Sequence, residues 1–414
     1  MKKTVLKDYA RLLAVTGLNI KKGDEVIVNA GLDQPDFVRM VVEECYRAGA
    51  AKVEVEWHYQ PLSKLHVRHR SLKTLSTVEE WEKAKMAHRA ERLPAMLHLI
   101  SEDPDGLKGM NQKKNSQAMQ ARYPIIKPFR DQMDNKYKWC IAAVPGKEWA
   151  KKMFPELRPA AAVEKLWEVI LYTVRMTDGI GGAACDGVEA WKAHNAQFNT
   201  RCEYLNSLGI ESLHLTAANG TDLTVGMIDN ALFCGGGEYT LGGEYFNPNM
   251  PTEEIFISPK RGVAEGIVYS SKPRSWRGQV IDKFSVRFEG GRAVEVHAEQ
   301  NEELLKQMVS MDEGAAFLGE VALVPYSSPI CQSGLTFYET LFDENAACHL
   351  AMGAGFTNTI RDYDKYTLDE LHEMGINDSM IHVDFMVGTA DLSVVAHTRD
   401  GKDIQLFKDG NWAF

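Results

Sequence analysis

Two strand-like runs, EVIVNAG beginning at Glu25 and KVEVEW beginning at Lys52, bracket a helical pattern and leave little choice of local topology. Between Pro35 and Gly49, the residues Phe37, Val38, Val41, Val42, Cys45 and Tyr46 recur at helical spacing, with a proline at the start and a glycine at the stop. Strand, helix and strand in this order form the unit of a parallel sheet. An amphipathic helix over residues 6–15, stopping at Gly17, precedes the unit, and its pattern recurs afterwards. Helix is expected over 77–88 and 148–153, strand over 96–100 and 139–145, and helices interrupted at Pro124 and Pro128 within 108–132. The first strand runs into VNAGLDQPD, which lacks the glycines of a GxGxxG or Walker loop, so nucleotide binding has little support. This half reads as a scaffold or lid.

Beyond Pro155 and Pro159 the pattern changes. Helices over 160–176 and 186–208 lead into strands over 213–236 broken by an Asn-Gly turn, then a hairpin around residues 289–291 and a helix over 301–310. A hairpin turning at Asp400 and Gly401 closes the chain. The fold class is α/β, with an N-terminal open parallel α/β domain over 1–157 and an α+β domain rich in antiparallel strands over 158–414.

A chain of 414 residues with 44% apolar and 25% charged residues has the composition of an ordinary globular protein. Its formal charge of −10 argues against a general nucleic-acid surface. Seven cysteines without a CxxC pair fit a reducing interior rather than a disulfide framework. No signal-like segment and no apolar run of membrane length is legible, so a cytoplasmic location without membrane contact is expected.

The chemistry concentrates in residues 344–392, which contain ENAACHLAMGAG and NDSMIHVDFMVGTADL. In IHVDFMV, His382 and Asp384 leave the same face of an extended run about 7 Å apart, where one metal site can take both. Alone, each is an ordinary interior histidine or carboxylate. Were they to converge with His349 of ENAACH, Glu254 of EEIFI and Glu320 of FLGEVAL, three carboxylates and two imidazoles would suit two divalent ions about 3.5–4 Å apart. Peptide or amide hydrolysis would follow. No GxSxG elbow or HExxH helix is present, and Cys348 beside His349 makes only a minor case for a thiol nucleophile.

The segments NPNMPTEEIFISP, GEVALVP, LFDENAACHLAMG and NDSMIHVDFMVGTADL, with the opening DYARLLAVTGLNIKKGDEVIV, resemble those of the thermophilic-type metalloaminopeptidases, in order and over essentially the whole chain. The resemblance implies a dimeric exopeptidase that removes N-terminal residues from peptides with a free amine. It implies two divalent metals, zinc, cobalt or magnesium, in the C-terminal domain. By motif position the ligands fall on Glu254, Glu320, His349, His382 and Asp384. Glu253 is then the candidate for general acid/base work, and Glu320 counts among the catalytic residues as well as the ligands. The expected reaction is attack of a metal-bound water on the first peptide carbonyl. One departure stands out: where the family pattern has a tyrosine seven residues beyond the ENAACH histidine, this chain has Phe356, which offers no hydroxyl to a developing oxyanion. Tyr239 and Tyr245 are the alternative donors. Competing readings are a metal-dependent amidohydrolase with a non-peptide substrate and a non-enzymatic α/β binding protein.

Overall fold

The computed structural model describes residues 1–276 and 279–414. The chain forms two compact units, Met1–Ala193 with Gly237–Pro251, and His194–Gly236 with Thr252–Phe414. The expected division between residues 157 and 158 falls inside the first unit. Pro155 and Pro159 separate only two helices, Lys147–Met153 and Pro159–Thr173, and these pack on each other.

In the first unit, β1 (Glu25–Gly31), β2 (Lys52–His58), β3 (Ala95–Ile100) and β4 (Trp139–Ala143) form a parallel sheet. The order is β4-β3-β1-β2, and the short strand Asn249–Met250 adds beside β4 in the same direction. Buried residues alternate poorly along β1 because helices cover both sides of such sheets. Helix α1 spans Lys3–Leu12 and α2 spans Pro35–Ala48, the latter stopped by Gly49 at φ +116°. Only a residue without Cβ enters that region cheaply.

Two local expectations need correction. Helix α3 (Gln60–His69), which starts on Pro61 in its first turn, follows β2 directly and was not legible as a separate element. The helix Gln112–Met133 runs unbroken through Pro124 and Pro128. It is mostly exposed, so the carbonyls that lose their N–H partners to proline can turn to water.

In the second unit, β5 (Ile210–Thr216) and β6 (Asp222–Met227) flank the Asn219-Gly220 turn and belong to a nine-stranded sheet. The expected hairpin is there too, Gln279–Glu289 against Arg292–Gln300. A separate five-stranded antiparallel sheet carries, in spatial order, His382–Met386, His349–Gly353, Leu318–Leu323, Ile255–Ile257 and Cys234–Gly235. One of its faces, with Val321, Leu323, Leu350, Val383 and Phe385, joins the unit's apolar core. Among the described residues, no helix is long and apolar enough to cross a membrane.

Candidate metal centre

Strand parity places the polar residues of the five-stranded sheet together. Glu320 pairs with Ala351 and Ala351 with Asp384, while Gly353 pairs with His382 and Ala322 with His349. Side chains of directly opposed residues leave the same face, so Glu320, His349, His382 and Asp384 share the face opposite the core. Ala351 stands between the two carboxylates and Gly353 opposite the imidazole, which leaves room above the sheet for the longer side chains to turn inward. The register shifts by one residue between Leu318 and Glu320. Gly319 at that shift lies so close to the next strand that a Cβ there would come within 2.2 Å of the Ala354 carbonyl oxygen.

Glu254 arrives just before the short strand Ile255–Ile257, which lies between Leu318–Leu323 and Cys234–Gly235. The preceding loop is held by its backbone: Asn345 Oδ1 accepts the Glu253 N–H at 2.7 Å, and the His194 ring meets the Thr252 carbonyl at 2.9 Å. Asn345 is fully buried and its amide donates to the Leu341 carbonyl, so the clamp has a fixed orientation.

These elements bring the five candidates into two overlapping groups, Glu254 with Glu320 and His349, and Glu320 with His382 and Asp384. In each group, one ligand atom from every residue lies within 4.8 Å of the others. His349 Nε2 is 3.3 Å from a Glu254 oxygen, and His382 Nε2 is 3.1 Å from Glu320 and 3.0 Å from Asp384. Both rings are oriented from behind. The Nδ1 atoms face the carbonyls of Ala347 at 3.2 Å and Ala354 at 2.7 Å, which can only accept, so Nδ1 carries a proton and Nε2 faces the carboxylates.

Electrostatics mark the centre as short of positive charge. Burial works against a protonated His349, yet Glu254, Glu320 and Asp384 outweigh it and push its pKa up to about 10. His382 behaves alike against Asp384 and Glu320, at about 11. Burial opposes ionisation of Asp384, but the His382 contact and charge hold its carboxyl well below the usual range. Glu320 is raised, mainly by burial, against the pull of His382. A donor set of carboxylate oxygens and outward-facing imidazole nitrogens with this charge deficit fits divalent cations.

One residue escaped the sequence reading. Glu344, at the start of a short 3₁₀ turn, has its pKa raised well above normal by burial and then by the neighbouring carboxylates of Glu254 and Asp384. Its position in the ENAACH motif, five residues before His349, was the available signal. Glu253 is 6% exposed and belongs to neither donor group. Phe356 sets its ring 4.8 Å from that of His382 and makes an edge contact with Phe256 at 5.5 Å, giving the centre an aromatic wall. Tyr239 and Tyr245 pair with each other in the first unit, ring centroids 5.0 Å apart. Cys348 is buried against Val324, which donates its N–H to the sulfur at 3.2 Å, and burial pushes the thiol up to about 12, conditions that suit packing rather than nucleophilic attack.

A parallel α/β unit and an antiparallel unit bearing a Glu/His/Asp donor cluster fit a metalloenzyme, and the comparisons narrow the class to metalloaminopeptidase. The family model for thermophilic metalloproteases (M29) matches residues 2–412, and the chain belongs to that family. It is 37% identical over 410 residues to aminopeptidase AmpS of Bacillus subtilis (strain 168), covering 99% of this chain and 98% of that protein. Wild-type AmpT from Thermus thermophilus superimposes with a TM-score of 0.90 at 36% identity, covering 100% of both chains. A 2,5-dihydroxypyridine dioxygenase from Pseudomonas putida KT2440 shares the fold at a TM-score of 0.53 and 11% identity, covering 99% of this chain and 96% of that one. That last likeness concerns architecture alone, since one fold can host different chemistries.

Proposed function

We propose that this metalloaminopeptidase hydrolyses the N-terminal peptide bond of peptides with a free amine, using water activated by two divalent ions. The observation that carries the reading is the pair of donor groups that share Glu320. Glu254, Glu320 and His349 would hold one ion, and Glu320, His382 and Asp384 the other. Ions bound there would supply Lewis-acid polarisation of the scissile carbonyl and a water of lowered pKa.

The chain's own residues do the rest. Ala347 and Ala354 fix the imidazole tautomers through their carbonyls, and Asn345 fixes the loop that carries Glu253 and Glu254. Glu253 accepts the proton of the attacking water and returns it to the leaving amine, with Glu344 as the further carboxylate on hand. Phe356 and Phe256 screen one side of the centre from solvent. The proposed ligands all lie within Thr252–Phe414, so the second unit is read as catalytic. Zinc, cobalt and magnesium all suit such O/N donors. Seven cysteines scattered along the sequence without a CxxC pair fit a reducing, cytoplasmic setting, and a homodimer completes the proposal by resemblance.

The test compares peptides with free and N-acetylated amino termini. Cleavage of the free peptide alone, residue by residue from its N-terminus, is expected. Equal cleavage of the acetylated peptide would favour a general amidohydrolase instead.

A further inference from the structure

The first unit contains a cleft of about 610 Å³ at the carboxyl ends of its parallel strands. Its floor includes Gly31 at the end of β1, His58 at the end of β2 and Ser101 just past β3. With strand order β4-β3-β1-β2, the chain reverses direction across the sheet between β1 and β3. A crevice opens at such a reversal, and ligands of open α/β sheets bind there.

The polar groups of this crevice are held in place by one another. Ser101 Oγ donates to Asp33 at 2.9 Å and the Gln34 amide donates to the other Asp33 oxygen at 3.0 Å, so the carboxylate is aimed. Glu102 takes the Ser101 N–H at 2.9 Å and meets the His58 ring at 2.6 Å. The Gln60 side chain clamps both the N–H and the carbonyl of Asp103. The loops after β1, β2 and β3 are thereby tied together without a ligand.

Charges of both signs are left over. Among the described residues, Asp33 meets no cation, while Lys64 and Arg68 of α3 and Lys147 opposite meet no carboxylate, and all four line the cleft. Tyr59 and Leu32, 52% and 53% exposed, add apolar surface beside them. A phosphate ligand is disfavoured, because Asp33 and Glu102 crowd the position where a glycine-rich loop would present N–H groups.

We propose that this cleft binds a small zwitterion, an amino acid with free ammonium and carboxylate groups. The ammonium sits on Asp33, the carboxylate on Lys64, Arg68 and Lys147, and an apolar side chain lies along Leu32 and Tyr59. The cleft's own chemistry selects this ligand independently of the peptidase reading, although such a ligand is what an aminopeptidase releases.

Calorimetric titration of the metal-loaded full chain with L-leucine tests it, with 3-methylbutan-1-amine and 4-methylpentanoate as probes lacking one charge each and carrying no hydrolysable bond. Leucine should show a binding event that weakens at least about tenfold in Asp33→Asn and in Arg68→Gln, while melting temperature and peptide turnover stay unchanged. Each single-charge probe should bind at that event at least about tenfold more weakly than leucine. The proposal is overturned if no leucine event responds to either substitution, or if one of the probes binds as tightly as leucine.

Discussion

Phe356 lays its ring against that of His382, with centroids 4.8 Å apart and planes inclined at 49°. The ring, which carries no hydroxyl, stands at the edge of the proposed metal centre and is 38% exposed, at the position where the sequence resemblance led to the expectation of a tyrosine. Restoring the hydroxyl should therefore add a donor near the reacting carbonyl without disturbing the fold. Phe356→Tyr is expected to raise kcat by about tenfold with little change in KM, a conservative share of what one oxyanion donor supplies. Steady-state kinetics on a free-amine peptide decide it, and an unchanged kcat would place the donor elsewhere.

Glu320 is the member common to both donor groups and is buried in the central strand Leu318–Leu323. Glu320→Gln keeps the shape but removes the charge. Bound metal, measured by elemental analysis after dialysis, should fall for both ions, and turnover should drop by at least about 100-fold, since even outer partners of ligands cost 10–100-fold. Full metal content with full turnover would remove Glu320 from the ligand set.

Glu253 should separate chemistry from metal binding. It lies outside both donor groups while its backbone is clamped by Asn345. Glu253→Gln is expected to retain the ions and lose kcat by about 100-fold or more, the usual scale of a general base. Loss of metal instead of kcat would exchange its role with that of Glu254.

The histidines give a pH signature. Without metal, His349 and His382 titrate at about 10 and about 11, above the ordinary value near 6.5. Raised folded-state values stabilise the fold fully below about pH 6.5, and that stabilisation is lost as pH rises through the folded values. Chelated protein should therefore melt at a lower temperature at pH 10.5 than at pH 7, and His382→Asn should show a shallower decline. Metal must displace these protons, so metal affinity should climb with pH. Equal pH slopes in wild type and variant would contradict the assignment.

Gly319 tests how tightly the sheet positions the centre. A methyl group there meets the carbonyl oxygens of Ala354 at 2.2 Å and Gly353 at 2.3 Å, so backbone must move. Gly319→Ala should cost about 1–3 kcal/mol in denaturant unfolding, the scale of overpacking, and lower metal occupancy by shifting Glu320. A neutral substitution would mean that the register shift is more tolerant than its geometry implies.

Much of this was legible because strands have a period of two. His382 and Asp384 could be put on one face from their spacing, and the helix between Pro35 and Gly49 announced both its ends. Pairing partners were not legible, because Ala351 and Gly353 matter only once the register sets them opposite Asp384 and His382. Glu344 went unnoticed for the same reason, as its neighbours Glu254 and Asp384 are remote in sequence. Pro155 and Pro159 misled about the division of the chain, since two helices can pack across a proline-marked turn as readily as two domains can part there.

Glu320 is proposed to serve both ions of a two-ion centre. Anomalous diffraction from crystals grown with zinc or cobalt tests it directly. Two peaks about 3.5–4 Å apart are expected, one against Glu254, Glu320 and His349 and the other against Glu320, His382 and Asp384. A single peak, or peaks that leave Glu320 outside both coordination shells, would contradict it.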